Sequence, residues 1–265
     1  MWKYRGPVKL VILDTAGTIC DGPQDLRHIW PDDDGLGVKA PVVPFYEVLK
    51  SRGVVLNWAA IRKPMGLFKK DHLRTLLETP EARAQFKNVH GRDWTEKDLD
   101  EMFEDYKKIL NEVIVHPELV KPIPGAVEVI QKLRDYGKLI GNTTGYTAEA
   151  SKLLNTKLEK EYGIKFDFAA TPEIVKAGRP YPWMVMKHME VLNVYPPAAV
   201  VKVGDTKYDI REGKFAGAWT VGLYATGNDT FEVLAAEEPD YLIPSIAELL
   251  PVIWDIENRL MEGRY

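Results

Sequence analysis

Short apolar runs that end abruptly in polar or glycine-containing turns punctuate the chain. They are VKLVILD (8–14), GKLIGNTT (137–144), AAVVKVGD (198–205) and AWTVGLY (218–224), with a weaker fifth, PDYLI (239–243). Runs of this length bounded by turn residues predict buried strands. Between them the apolar positions change period. GAVEVIQKLRDYG (125–137), TAEASKLLNTKLEKEYG (147–163), PWMVMKHMEVLN (182–193) and DIREGKFAG (209–217) read as helices. In the first of these, Val127, Ile130 and Leu133–Arg134 fall at helical spacing and predict one buried stripe. Strands alternating with helices of this size build right-handed βαβ units, so the fold class is α/β with a mostly parallel sheet. Ligands of such sheets lie beyond the carboxyl ends of the strands, which is where Asp14, Thr144 and Asp205 fall.

From about Gln24 to Val120 the pattern differs. An irregular stretch, GPQDLRHIWPDDDGLGVKAPVVP, gives way to helical patterns only: FYEVLKSRG (45–53), GLFKKDHLRTLLET (66–79), EARAQFKNV (81–89) and TEKDLDEMFEDYKKILNEVI (95–114). Thr95, with Asp98 three residues on, predicts the N-cap of the last helix. The prolines of HPELVKPIPG (116–125) mark the return to the sheet. The expected organisation is a sheet-bearing core from residues 1–23 and 121–265, with an all-helical domain, 24–120, inserted after the first strand.

The 265 residues suffice for such a core and a smaller second domain. A formal charge of −4 gives no electrostatic case for nucleic acid or an anionic membrane as partner. The single cysteine, Cys20, excludes a disulfide framework and a cysteine-based metal site. No signal-peptide core and no apolar run of about 18 residues is present, so the expected location is the cytoplasm.

Against that background a few residues carry chemistry. Asp14 and Asp205 each end a strand, which would place two carboxylates together beyond the sheet. Like charges that close repel unless a cation lies between them, and carboxylates with phosphate oxygens and waters suit Mg²⁺. Asp209, four residues after Asp205, either supports this pair from behind or caps the helix that follows. GNTTGYT (141–147) closes the second strand with hydroxyls and a helix N-terminus, which favours an anion. Arg179 in AGRPYPW (177–183) can neutralise phosphate charge. Met65, Lys69 and His72 stand at i−4, i and i+3 and share a face if their segment is helical, an unusual trio for a solvated surface. Lys63 is the second amine of that segment, placed before Pro64 in an expected turn. Two residues after Asp14, where an acid would make a proton donor, stands Ala16.

In this order and spacing, DTAGT, TTGYT, AGRPYPW and KVGDTKYD resemble the four motifs of the haloacid dehalogenase superfamily. Ala16 and RKPMGLFKKDHLR (62–74) resemble its phosphonatase family, the phosphonoacetaldehyde hydrolases, and the likeness runs over most of the chain. The resemblance implies a Rossmann-like core with a small helical cap, Mg²⁺ as cofactor and usually a homodimer. It implies hydrolysis of the P–C bond of a small phosphonate, giving acetaldehyde and phosphate. It also supplies a reason for Ala16. The leaving group is a carbanion rather than an alkoxide, so a lysine imine serves as electron sink in place of an acid. Carried over residue by residue, Asp14 is the nucleophile, Lys69 forms the imine and His72 assists proton transfers. Thr144 (or its neighbour Thr143) and Arg179 bind phosphate oxygens, and Met65, Gly66, Gly145 and Tyr146 line the substrate site. The Asp14 and Asp205 carboxylates and the Ala16 carbonyl hold the metal, with Asp209 behind them.

Two departures bear on the substrate. Cys20 comes earlier than the family's cysteine, and the 22–44 segment is longer, with RHIWPDDDGLG as extra material where core passes into cap. His28 and Trp30 within it are expected to pack locally rather than touch substrate. A different carbonyl-bearing phosphonate is therefore the near alternative. Ala16 disfavours a phosphomonoesterase or phosphomutase, Asp205 and Asp209 disfavour a dehalogenase, and the complete set of reactive residues disfavours an inert scaffold.

Overall fold

The computed structural model describes residues 3–22 and 24–264, so the expected domain boundary at Pro23 lies outside the described residues. Six strands, β1 (Leu10–Leu13), β2 (Leu139–Thr143), β3 (Phe168–Ala170), β4 (Val200–Gly204), β5 (Trp219–Leu223) and β6 (Tyr241–Ile243), form one parallel sheet in the order β3-β2-β1-β4-β5-β6. The first strand of the chain is thus central and wholly buried. Leu13 pairs with Asn142 on one side and Val203 on the other, so the three inner strands end at one level. The strand order reverses direction at β1, which opens the crevice where such sheets hold ligands. Five strands are expected from the pattern and six are found. The extra one, β3, is a three-residue edge strand, FAA, too short to leave a periodicity.

Every described element between β1 and the first sheet-covering helix is helical: α1 (Val42–Ser51), α2 (Trp58–Arg62), α3 (Lys69–Leu77), α4 (Pro80–His90), α5 (Glu96–Val113) and α6 (Pro117–Val120). The remainder, α7 (Ala126–Asp135), α8 (Ala148–Tyr162), α9 (Trp183–Val191), α10 (Lys207–Ala216), α11 (Phe231–Ala235) and α12 (Leu249–Met261), alternate with the later strands or follow them. None of these helices is long and apolar enough to cross a membrane. Thr95 caps α5 in a reciprocal capping box with Asp98, as the sequence suggests. Three details differ from expectation. The buried stripe of α7 keeps the predicted Ile130 and Leu133 but takes Ala126 and Val129 in place of Val127, which is only half-buried, as is Arg134. Helix α10 starts earlier than expected, capped by Thr206, with Asp209 at its third position closing the box. Helix α12 carries no expectation because Pro251 interrupts its pattern, yet the proline falls in the first turn, where no helical N–H is lost.

The chain leaves and re-enters the sheet layer side by side. Ile123 N–H donates to Ile19 O at 2.8 Å, and Cys20 forms an antiparallel bridge with Pro122. Beyond this crossing, the aspartate run 32–34 proves to be a set of anchors rather than a solvated charge cluster. Asp32 accepts from the Tyr46 hydroxyl of α1 at 2.7 Å. Asp33 pairs with Lys39 Nζ at 2.7 Å, both side chains fully buried, and also accepts from the N–H groups of Leu26 and Gly35. Asp34 pairs with Arg62 at the end of α2. Asp21 receives the backbone N–H groups of Lys39 and Ala40, although burial pushes its carboxyl up to about 7. Trp30 packs on the ring of His116, 5.5 Å between centroids, and His28 is exposed.

Candidate active site

Asp14 follows the last residue of β1, and its N–H still donates to Val203 O at 3.0 Å, so the sheet itself delivers the carboxylate. Asn142 of β2 braces the same turn, donating to Leu13 O and to the Thr15 hydroxyl. Asp205 follows β4 and is held by the Thr18 hydroxyl at 3.1 Å and by Asn228 N–H at 2.8 Å. Carboxylate oxygens of Asp14, Asp205 and Asp209 lie within 4.8 Å of one another. Burial, and then the mutual repulsion of these acids, pushes Asp205 up; burial also raises Asp14, against the attraction of Arg179. Asp209 is different. Arg179 and Lys202 hold it below the usual carboxylate range despite its burial, and its oxygens receive Lys202 Nζ at 2.6 Å and the Thr206 hydroxyl at 2.6 Å.

One cavity gathers ten of the expected residues: Asp14, Ala16, Met65, Gly66, Lys69, Thr144, Gly145, Tyr146, Arg179 and Asp205, joined by Pro41 and Thr206. His72 and Asp209 do not line it. The helical segment meets the sheet layer at two glycines. A side chain at Gly145 would strike the Leu67 carbonyl, and Gly66, with φ +99°, lies where a Cβ would come 2.6 Å from the Thr206 hydroxyl.

Helix α3 begins at Lys69, so Met65 lies in the preceding turn rather than on one helical face with Lys69 and His72. The three still associate. The Met65 sulfur accepts from Lys69 Nζ at 3.4 Å, and the amine sits 5.2 Å from the Tyr146 ring centroid. Lys69 is 4% exposed and has no carboxylate within 4 Å among the described residues. Burial pushes its ammonium down to about 8; Arg179 acts in the same direction and Asp14 against it. Its place in the first turn of α3, the positive end of a helix dipole, also disfavours a second positive charge. His72 is buried and kept neutral by that burial and by Lys69. Its Nε2 faces Ile61 O at 2.7 Å, which assigns the proton to Nε2 and leaves Nδ1 with a free lone pair. It packs on the Phe45 ring, 4.0 Å between centroids, and does not line the cavity.

Arg179 donates from Nη2 to Asp14 at 2.6 Å and to the Thr143 hydroxyl at 2.8 Å, and from Nε to Glu212 at 3.0 Å. The two threonines thus divide the work: Thr143 fixes the arginine and Thr144 lines the cavity. Lys202 and Glu212 are absent from the sequence-level reading. Their signals were present, a lysine inside the apolar run VVKVG and an acid one helical step from Asp209, but neither marks a partner until the fold is known. Lys63, the second amine, is exposed and outside the cavity. Cys20 is buried and also outside it.

A model of haloacid dehalogenase-like hydrolases matches residues 55–223. A phosphonoacetaldehyde hydrolase from Bacillus cereus is 39% identical over 97% of this chain and 89% of its own length. One from Bacillus cytotoxicus is 42% identical over 82% of this chain and 75% of its own. Among solved structures, a phosphonoacetaldehyde hydrolase-like protein from Oleispira antarctica superposes with a TM-score of 0.89 at 29% identity, covering 100% of this chain and 98% of that one.

Proposed function

Because the chain belongs to the haloacid dehalogenase-like hydrolases, and within them to the phosphonoacetaldehyde hydrolase family, we propose that it hydrolyses the P–C bond of phosphonoacetaldehyde through a Lys69 imine and an Asp14 aspartyl-phosphate. It is a hydrolase. The observation that carries the mechanism is Lys69: a buried amine, brought down to about 8, lining the same cavity as Asp14 and lacking an ion-pair partner among the described residues.

The neutral amine adds to the substrate aldehyde and water leaves, giving a protonated imine. The Asp14 carboxylate attacks phosphorus, and the P–C electron pair passes into the imine to leave an enamine. Protonation at carbon regenerates the imine, water hydrolyses it to acetaldehyde and free Lys69, and a second water cleaves the aspartyl-phosphate. One water is consumed overall. Thr144 and Arg179 bind the phosphoryl oxygens, while Met65, Gly66, Gly145 and Tyr146 shape the carbon side. His72, kept off the cavity but with an unpartnered Nδ1, would assist proton transfers only from behind Lys69.

The donor set fits Mg²⁺. Four buried carboxylates, Asp14, Asp205, Asp209 and Glu212, face two buried cations, Arg179 and Lys202, so one divalent ion balances them when Lys69 is neutral. The Asp14 and Asp205 carboxylates and the Ala16 carbonyl would hold it, with Asp209 as the support that keeps Arg179 and Lys202 in place. When bound, the ion neutralises charge on the phosphoryl oxygens. We take residues 24–120 as the cap over a core of 1–23 and 121–265, which the paired crossing at Ile19–Cys20 and Pro122–Ile123 supports. A homodimer, resting on the family resemblance, and a cytoplasmic location, resting on the sequence pattern, complete the reading.

Borohydride trapping with phosphonoacetaldehyde, peptide mass mapping and assays for acetaldehyde and phosphate test this. A reduced adduct on Lys69, absent in Lys69→Arg, is expected together with turnover in the parent enzyme. Turnover without any lysine adduct would overturn the imine, and no turnover with this substrate would redirect the activity to another carbonyl-bearing phosphonate.

A further inference from the structure

The arginine that meets the phosphoryl group is held from behind by a residue that touches no substrate. Arg179 is 5% exposed, and its guanidinium is planar, so fixing two of its three nitrogens fixes the direction of the third. Glu212 takes Nε at 3.0 Å, while Asp14 and Thr143 take Nη2. Among the described residues none of the hydrogen bonds of Arg179 uses Nη1, and the residue lines the cavity. We propose that Glu212 is a positioning residue for phosphate recognition: through Nε it sets the plane of Arg179 so that Nη1 is presented to the ligand.

The surroundings of Glu212 suit this task. It lies on α10, fully buried, behind the plane of the site. Asp209, three residues earlier on the same helix, lies 3.0 Å from Arg179 Nη2, so one helix face supports the guanidinium at two points. Lys202 of β4 sits 3.7 Å from the Glu212 carboxylate and 2.6 Å from that of Asp209, and its positive charge keeps both acids from confronting each other unscreened. Gly213 lets α10 lie this close to the strands, since a side chain there would meet Thr220 Cγ2 at 2.6 Å and Lys202 Cβ at 3.0 Å. An arginine held at only one point would sample several orientations, and the ligand would have to select among them.

This inference rests on the phosphate-binding part of the proposed function, not on the carbon part, and the probe is chosen accordingly. Inorganic phosphate affinity is measured by calorimetry on the Mg²⁺-loaded enzyme and on folded Glu212→Gln, Glu212→Asp and Arg179→Lys variants, with the Arg179→Lys/Glu212→Gln double variant closing a cycle. Glu212→Gln is expected to weaken phosphate binding at least tenfold. Glu212→Asp, which keeps the charge but withdraws it from Nε, is expected to weaken it to a similar extent and so separates position from charge. In the Arg179→Lys background, which has no Nε to hold, Glu212→Gln is expected to change affinity less than threefold. Undiminished phosphate affinity in either single Glu212 variant, or factors that simply multiply in the double variant, would overturn the assignment. Should Glu212→Gln fail to fold, Glu212→Asp alone decides between the same two outcomes. Because phosphate is the probe, an enzyme inactive on phosphonoacetaldehyde can still return a positive result here.

Discussion

Lys69 shows how much one residue's chemistry depends on where the chain puts it. An unperturbed lysine is neutral to about one part in 2,500 at pH 7, whereas a group at about 8 is neutral to roughly one part in ten. The free-enzyme rate of imine formation is therefore expected to rise about fivefold from pH 7 to 8 and less than twofold from 8 to 9, read from kcat/KM at low substrate. A rate still climbing tenfold per unit beyond pH 9 would contradict a desolvated amine. The sign for stability runs the same way. Between about 8 and the ordinary lysine range the unfolded chain binds more protons than the native one, so burial of Lys69 costs stability at neutral pH and the cost fades as pH rises. At this scale the sequence was generous, since strand-end aspartates and the RKPMGLFKKDHLR segment are local patterns. It was silent on Glu212, whose partner Arg179 comes from a distant helix start, and on Lys202, whose carboxylate partners face it only once α10 folds back onto β4.

At the scale of elements, periodicity found the buried strands and the long helices except α12, and missed the pieces too short to repeat, β3 and α2 among them. The helix read over 66–79 starts at Lys69 instead, so the face that Met65 would share with Lys69 and His72 in a helical segment does not form; the turn at Gly66 requires a positive φ that no spacing rule reads. The PDDDG run illustrates a different gap. The sequence marks it only as an irregular insertion, while the fold assigns its three carboxylates to Tyr46, Lys39 and Arg62. These anchors differ in worth. Lys39→Met strands the buried Asp33 charge and is expected to lower unfolding free energy by about 3–5 kcal/mol. Asp32→Ala, at a site 57% exposed, should cost less than about 1 kcal/mol. Urea midpoints of the two variants check this, and equal losses would show that the Asp33–Lys39 pair is no special anchor.

Across the whole molecule the inner charges and the helical layer form one system. Asp14 and Asp205 are both pushed up by burial, so without a cation the native state binds more protons than the unfolded chain and loses stability as pH rises through that interval. On the proposed reading Mg²⁺ binds the native state and displaces those protons, so it is expected to raise Tm by more at pH 8 than at pH 6. Differential scanning with EDTA or Mg²⁺ at the two pH values measures it, and an equal rise at both would mean that the carboxylates are not the ligands. The sheet and its strand ends belong to the part of the fold that pattern alone reveals, whereas the closure of Leu67 onto Gly145 depends on long-range packing. The paired crossing of Ile19–Cys20 with Pro122–Ile123 has a consequence of another kind. Seen from the sheet, a hundred residues of helix are a loop whose two ends meet, and lengthening such a loop adds little entropy cost at its base. The fold is thus a socket: changes of length within the helical insert that spare buried anchors such as Asp33–Lys39 are expected to leave the strand ends that present Asp14 and Asp205 where they are.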